Sequence, residues 1–239
     1  TNPSTTYAYN GTYTITLTAF NGANSAIFSR LITITNGVTI GTYPANYVHC
    51  GTPTAVVDVV STTGKVWMDR NLGASQVATS AADALAYGDL YQWGRFADGH
   101  QCRTSPTTTT LSNTNTPGHG NFILPTNVPF DWRSPQNINL WHGVNGINNP
   151  CPYGYRLPTS NELNAEWNTF SENNNIGAFN SVLKLSSGGY RKRNDGIIYN
   201  EMTDGVYWSS TISNNTYGVP AGGEHRSNTA FNAYFISLG

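Results

Sequence analysis

The sequence predicts an α+β protein, in which a short β-rich segment precedes a larger domain with two helices and several short strands. Residues 11–18 alternate Thr with Tyr, Ile and Leu, which is the period of a half-buried strand. Residues 159–170 combine a helix start signal with an apolar face. After residue 182, short apolar runs alternate with Gly and Asn turns, as in small sheets.

The N-terminal segment, residues 1–36, is predicted to form two strands. The first covers residues 11–18 and the second residues 29–35, and Asn21-Gly22-Ala23-Asn24 between them has the composition of a turn. A two-stranded hairpin is marginally stable alone in water. We therefore expect this segment to need partners that its own residues do not supply.

A linker over residues 37–46 leads to the main domain, residues 47–239. Residues 56–60 and 65–69 flank a Ser-Thr-Thr-Gly turn and predict a β-hairpin. An apolar stripe predicts a helix over residues 81–95; its members are Leu85, Tyr87, Leu90, Tyr91 and Trp93. Residues 96–149 have little periodicity, and so long a stretch is usually functional or held by buried aromatic side chains.

The second helix has the sharpest local signal. Thr159 is a good N-cap, and Glu162 three residues later completes a capping box. Leu163, Trp167 and Phe170 then form the buried face. Further strands are predicted at residues 182–185, 189–192, 197–200, 206–210 and 232–238.

Composition narrows the classes of function. Charged residues make up 10% of the chain and the net charge is -1, so nothing predicts a phosphate-binding or lipid-binding surface. No apolar run is long enough to span a membrane. We expect neither nucleic acid nor membrane insertion, and residues 1–3 look like the start of a processed or excised chain.

The three cysteines are too widely spaced for a metal site. An exported protein can join two of them, and we favour Cys102 with Cys151, which leaves Cys50 unpaired. Three reduced, buried thiols are the alternative.

Residues 7–18 (YAYNGTYTITLT) resemble the end of a PKD (polycystic kidney disease) domain, an immunoglobulin-like sandwich. The family pattern is Y-x-x-x-G-T-Y-x-V-x-L followed by an I-T-V strand, and the earlier strands of such a domain are absent. Two explanations stay open: the chain was cut from a longer protein, or another copy supplies the missing strands by strand addition.

Four blocks along the rest of the chain resemble the FISUMP (major paralogous) domain family. They are residues 64–74 (GKVWMDRNLGA), 87–95 (YGDLYQWGR), 149–159 (NPCPYGYRLPT) and 207–210 (YWSS). The resemblance covers roughly residues 48–239 and implies a secreted protein of bacteria related to the Bacteroidetes and Fibrobacteres. It also implies a C-type-lectin-like fold with two helices, short twisted antiparallel sheets and long loops.

The chain departs from that family at its end, where the usual R-x-x-G-x-S-V-R-C pattern is missing. The oxidase relatives of the fold use late cysteines, and no cysteine follows Cys151, so we expect no such activity. The family blocks look structural: Trp67, Trp93 and Trp208 suit a core, and Asp69, Arg70 and Arg156 suit a buried ion-pair network or a polar site.

Catalytic motifs are not found. The five histidines lack the spacing of a zinc site, and the acidic residues share no motif for glycoside hydrolysis. We therefore expect no enzyme activity, no catalytic residue and no cofactor. Calcium held by Asp side chains and backbone oxygens in the long loop stays an open alternative.

Two regions are candidate binding sites. In folds like this one the ligand surface lies on late loops, and residues 213–226 have the Tyr, Asn, Ser and Gly mixture of adaptable binding loops. The candidates there are Asn214, Asn215, Tyr217, Glu224, His225 and Arg226. Trp132 and Trp141 are the others: they either stack on sugar rings or fill the core beneath a long loop.

These observations predict a secreted cell-surface module that binds a glycan or a protein through its late loops. A structural subunit of an extracellular filament, completed by strand addition between copies, is the alternative.

Overall fold

The computed structural model describes residues 5–35, 37, 39–142 and 146–213, and the backbone of residues 232–237. Contacts divide the chain into two units, Thr1–Pro44 with Pro152–Tyr155, and Ala45–Cys151 with Arg156–Gly239. The described residues form a mixed protein with two short α-helices and small two-stranded sheets, four antiparallel and one parallel. Among them, no helix is long and apolar enough to cross a membrane.

The first unit is dominated by one long hairpin. Strand β1 (Gly11–Asn21) pairs antiparallel with β2 (Asn24–Ile34), and Asn21 lies opposite Asn24. The turn is therefore Gly22-Ala23, with Gly22 at φ 64°, a conformation that favours glycine. The predicted turn is confirmed, and the strands are longer than predicted.

The second unit begins with the predicted hairpin of β3 (Asp58–Val60) and β4 (Val66–Met68). The predicted helix over residues 81–95 is wrong. Only one 3-10 turn forms there, Ala84–Ala86, capped by the Asp83 carboxylate. Gly88 and Gly94 adopt φ values of 74° and 82°, which a helix does not allow.

The long stretch after residue 96 contains two very short parallel strands, β5 (Thr107–Thr108) and β6 (Phe122–Ile123). A disulfide joins Cys50 to Cys102, and Cys151 is a free thiol. The predicted pairing of Cys102 with Cys151 is therefore wrong. Cys151 instead packs against the cluster of Trp93, Trp141 and Leu157, where its thiol takes part in the core.

Helix α1 (Ser160–Trp167) confirms the predicted capping box, because Thr159 accepts from the Glu162 amide and Glu162 accepts from the Thr159 amide. Helix α2 (Asn175–Asn180) was not predicted. Its N-cap is Asn174, whose side chain accepts hydrogen bonds from the amides of Ile176 and Gly177.

Four further strands follow, in two antiparallel pairs. β7 (Gly188–Arg191) pairs with β8 (Ile198–Glu201), and β9 (Val206–Ser213) pairs with β10 (Asn232–Ser237). The predicted strand at residues 182–185 does not form; the chain turns there, and Lys184 has φ 50°.

Candidate interaction surface

The β1–β2 hairpin has two different faces. The register places odd positions of β1 opposite even positions of β2. One face therefore carries Tyr13, Ile15, Leu17, Phe28, Ile32 and Ile34, together with Arg30 opposite Ile15, and we call it the apolar face. The opposite face carries Thr12, Thr14, Thr16 and Thr18 of β1 and Ser29 and Thr33 of β2, together with the apolar residues Phe20, Ile27 and Leu31.

Cover over the apolar face is incomplete. Tyr13, Ile15, Ile32 and Ile34, far from the turn, are partly buried, whereas Leu17 and Phe28 nearer the turn are 51% and 66% exposed. Phe20, Ile27 and Leu31 on the other face are also more than half exposed. Leu17 and Phe28 are paired and form one exposed apolar patch, and such patches mark an interaction site or an aggregation hazard.

The hairpin edges lack the usual protection against pairing. β1 and β2 form a sheet of only two strands, so each has one edge that pairs with no other described strand. Natural edge strands are blunted by charges or prolines, but the two strands contain a single charged residue, Arg30, and no proline. The β1 edge therefore carries no charge that would oppose a further strand, and the β2 edge carries one.

Tyr13 fixes the start of β1. Its hydroxyl donates to the carbonyl oxygen of Tyr9, four residues upstream, at 3.0 Å, and its ring packs on Tyr7 with centroids 4.3 Å apart. A tyrosine that bonds to backbone a few residues upstream also occurs in immunoglobulin-like sandwiches, where it is called the tyrosine corner.

The predicted binding residues have different outcomes. Asn214, Asn215, Tyr217, Glu224, His225 and Arg226 lie outside the described residues. Trp132 and Trp141 are 1% and 2% exposed, and their indole N–H groups donate to the carbonyl oxygens of Trp93 and Asn148. The interpretation of these two tryptophans as sugar-stacking residues is wrong, because both rings fill the core beneath the long loop.

Among the described residues of the second unit, the buried Asp98–His100 pair most resembles part of a catalytic site. His100 Nδ1 lies 2.7 Å from the Asp98 carboxylate, as in the Asp–His half of a catalytic triad. However, Nε2 of His100 accepts from the Gln92 amide at 2.9 Å, and the ring is fully buried. Burial lowers the pKa of His100 to about 4, so the ring is neutral. Both ring nitrogens already have partners, which leaves neither for a substrate.

Arg95 completes this cluster and is also fully buried. Its guanidinium binds the Asp98 carboxylate, the side-chain oxygen of Gln92, and the carbonyl oxygens of His119 and Asn121. The Arg95 guanidinium lies over the Trp132 ring. The hydrogen bonds from Arg95 to the carbonyl oxygens of His119 and Asn121 hold residues 119–121 in place.

Other polar residues join the elements of the second unit. Glu166 of α1 accepts hydrogen bonds from Ser61, Thr63 and Trp67 of the β3–β4 hairpin. Arg103 donates to the carbonyl oxygens of Gly88 and Gly188 and pairs with Glu201. These side chains support a rigid arrangement of loops.

The predicted Asp69, Arg70 and Arg156 network does not form as one group. Arg70 pairs with Asp69, whereas Arg156 pairs with Glu162, which also binds Lys65. Hydrogen bonds from Arg156 hold the pKa of Glu162 well below its usual range. Both sets are structural ion pairs at element boundaries.

Two carboxyl groups carry raised pKa values. Burial raises the pKa of Asp89 and of Asp131 to about 7 each. They lie in different loops, and among the described residues no three His, Cys, Asp or Glu side chains are grouped to hold a metal ion. His119 accepts from the Asn121 amide through Nδ1, as a locally bonded loop histidine.

No protein-family model matches the chain, and no curated protein or solved structure is significantly similar to it.

The hairpin surface was only half predicted from the sequence. The alternation of Thr with apolar residues identifies the two faces, but it does not tell whether the apolar face is covered. The useful signal is the near-absence of charge across two eleven-residue strands, because a solvent-exposed edge usually carries charge.

Proposed function

We propose that the protein is a non-catalytic extracellular interaction module whose N-terminal hairpin accepts a complementary β element. The observation that carries the proposal is the hairpin itself: five large apolar side chains are more than half exposed on strands with one charged residue. Exposed apolar side chains beside an uncharged edge strand, here β1, are the features that β-strand addition uses.

The tyrosine corner supports an immunoglobulin-like origin for the hairpin. Together with the resemblance of residues 7–18 to the end of a PKD domain, it favours two strands of a sandwich. In a sandwich the inner face of each sheet packs on a second sheet. A strand that adds to the β1 edge extends this sheet, and the apolar face then remains the surface on which a second sheet packs.

The second unit acts, in this proposal, as a C-type-lectin-like scaffold of the FISUMP kind. Its two helices, small sheets and long loops are compatible with that assignment. The Cys50–Cys102 disulfide and the low charge suit an extracellular setting. The buried Arg95 and Glu166 contacts favour a structural role over catalysis.

A second candidate function is binding of a glycan or protein through residues 213–226. β9 ends at Ser213 and β10 begins at Asn232, and these two residues are paired. Ser213 and Asn232 therefore lie side by side at one end of this sheet, and scaffolds carry their ligand loops at such positions. A glycan array that compares the wild type with Tyr217→Ala and Arg226→Ala tests this candidate, and equal signals reject it.

The primary proposal is tested with a strand peptide. A fluorescent peptide with the sequence of residues 11–21 and two added lysines is titrated with the protein, and its anisotropy is measured. We expect saturable binding that weakens in Leu17→Lys. A control peptide with proline at alternate positions lacks the backbone N–H donors along one strand edge and is expected not to bind. No binding, or equal binding of both peptides, contradicts the proposed function.

A further inference from the structure

We infer that the β element accepted by the hairpin is strand β1 of a second copy of this chain, paired antiparallel about a twofold axis at Thr16. The inference rests on the proposed function and adds the identity of the partner, the edge and the register. It also replaces the open filament that the sequence allowed with a closed dimer.

The choice of edge follows from charge. β1 has no charged residue, whereas β2 carries Arg30. Antiparallel pairing of β2 with itself about Ser29 brings two Arg30 side chains onto the same face, and like charges oppose pairing there. Pairing of β1 with itself brings no charges together, so the β1 edge is favoured.

The register follows from the two faces. With Thr16 opposite Thr16 of the second copy, Ile15 lies opposite Leu17 and Thr14 lies opposite Thr18. All eleven residues of each β1 strand are then paired over about 37 Å, at 3.4 Å per residue. Odd positions meet odd positions, so the apolar face continues across the interface and the threonine face does the same.

The hairpin already contains the contacts that this register repeats. Across β1 and β2, the hydroxyl of Thr12 lies 3.2 Å from that of Thr33, and the hydroxyl of Thr16 lies 3.0 Å from that of Ser29. The dimer extends these rows of hydroxyl pairs with Thr14–Thr18 and Thr16–Thr16. It also places exposed Leu17 beside Ile15 of the second copy.

The same geometry limits the assembly to two copies. A twofold interface uses the same strand on both partners, so both β1 edges are consumed. The outer edges of the four-stranded sheet are then the two β2 strands, each with Arg30, and charges on edge strands discourage further addition. The expected product is a dimer with about twice the 25.9 kDa mass of the chain.

The test uses a charge at the twofold centre. Multi-angle light scattering of the whole chain, from micromolar to submillimolar concentration, is expected to show a monomer–dimer equilibrium. Thr16→Lys places two like charges directly opposite each other and is expected to raise the dissociation constant at least about tenfold. Ser29→Lys is the matched control, because Ser29 lies on the same face of the other strand and is also exposed; it is expected to dimerise like the wild type.

A mixing experiment separates pairing from misfolding. Thr16→Asp alone is also expected to dimerise more weakly than the wild type, and an equimolar mixture with Thr16→Lys is expected to dimerise more tightly than either variant alone. A wild type that is monomeric throughout overturns the inference, as does a Ser29→Lys variant that dissociates as strongly as Thr16→Lys. A monomeric wild type that still binds the strand peptide leaves the proposed function standing, whereas loss of both results rejects the two together.

Discussion

The His100 imidazole is held between two groups: its Nδ1 lies 2.7 Å from Oδ1 of Asp98, and its Nε2 accepts from the backbone of Gln92. The neutral tautomer with its proton on Nδ1 satisfies both contacts. Protonation of Nε2 breaks the second one, so the folded state favours the neutral ring.

This arrangement predicts a pH-dependent stability. The pKa of His100 falls from 6.5 to about 4 because burial opposes the charged form. As the pH falls, the histidine is protonated in the unfolded chain before it is protonated in the folded one. The contribution of His100 to folding stability is therefore complete above pH 6.5 and is lost as the pH falls toward 4. Relative to His100→Gln, the wild type is expected to lose up to about 3 kcal/mol of its advantage over this range.

Urea unfolding of the wild type and His100→Gln at pH 7.5 and at pH 4.5 checks this prediction. The difference between the two proteins isolates the histidine from other titrating groups. A difference that is constant with pH contradicts the assignment.

Asp89 is expected to give the opposite dependence of folding stability on pH. Burial raises its pKa from 3.8 to about 7, with partial compensation from Arg103, and among the described residues no group donates to its Oδ2. The folded state therefore holds the proton more tightly, so the carboxyl favours folding most below pH 4 and this contribution is lost as the pH rises through 7. Asp89→Asn is expected to gain about 2 kcal/mol relative to the wild type between pH 5 and pH 8.5. Thermal unfolding at both pH values measures it, and a gain that does not depend on pH argues against a buried carboxyl.

Gly73 lies directly against the same carboxyl group. A Cβ atom built on Gly73 falls 2.2 Å from Cγ of Asp89, and its φ is 84°. Gly64 has a similar φ of 80° but open space around it. Gly64→Ala is expected to cost about 1 kcal/mol for the left-handed backbone alone, and Gly73→Ala about 2–4 kcal/mol because the clash is added. Equal losses in chemical denaturation would mean that the close approach is absent.

The Cys50–Cys102 disulfide closes a loop with a sequence separation of 52. The chain-entropy relation for a loop of this length predicts that removal of the disulfide costs about 4 kcal/mol of folding stability.

The thiol of Cys151 is buried, which raises its pKa to about 12, so the folded protein is expected to resist alkylation at that residue. Peptide mapping without reductant identifies the bond, and unfolding of Cys50→Ala with Cys102→Ala measures its contribution. Cys151→Ala is the control, with an expected loss of about 1 kcal/mol; a Cys102–Cys151 peptide contradicts the pairing.

Local signals predicted the elements that depend on local chemistry. The Thr159–Glu162 capping box and the Gly22-Ala23 turn lie where their residues predict them. The helix over residues 81–95 fails because Gly88 and Gly94 adopt a left-handed backbone. An apolar stripe alone does not reveal that conformation.

Features that depend on distant partners were not predictable. Whether Trp132 stacks on a ligand or fills the core depends on Trp93, which accepts from its indole 39 residues away. The cysteine pairing likewise depends on how the loops approach each other. For the hairpin, alternation predicted the faces, while the exposure of Leu17 and Phe28 needed the structure.

Hydrogen exchange of the β1 backbone amides tests the central claim most directly, namely that the hairpin accepts a further β-strand at this edge. Exchange is followed by mass spectrometry at low protein concentration, at high concentration, and with the residue 11–21 peptide in excess. The account predicts that the outward-facing amides of β1 become protected at high concentration and with the peptide, while β2 changes little. Unchanged exchange of β1 under both conditions contradicts it.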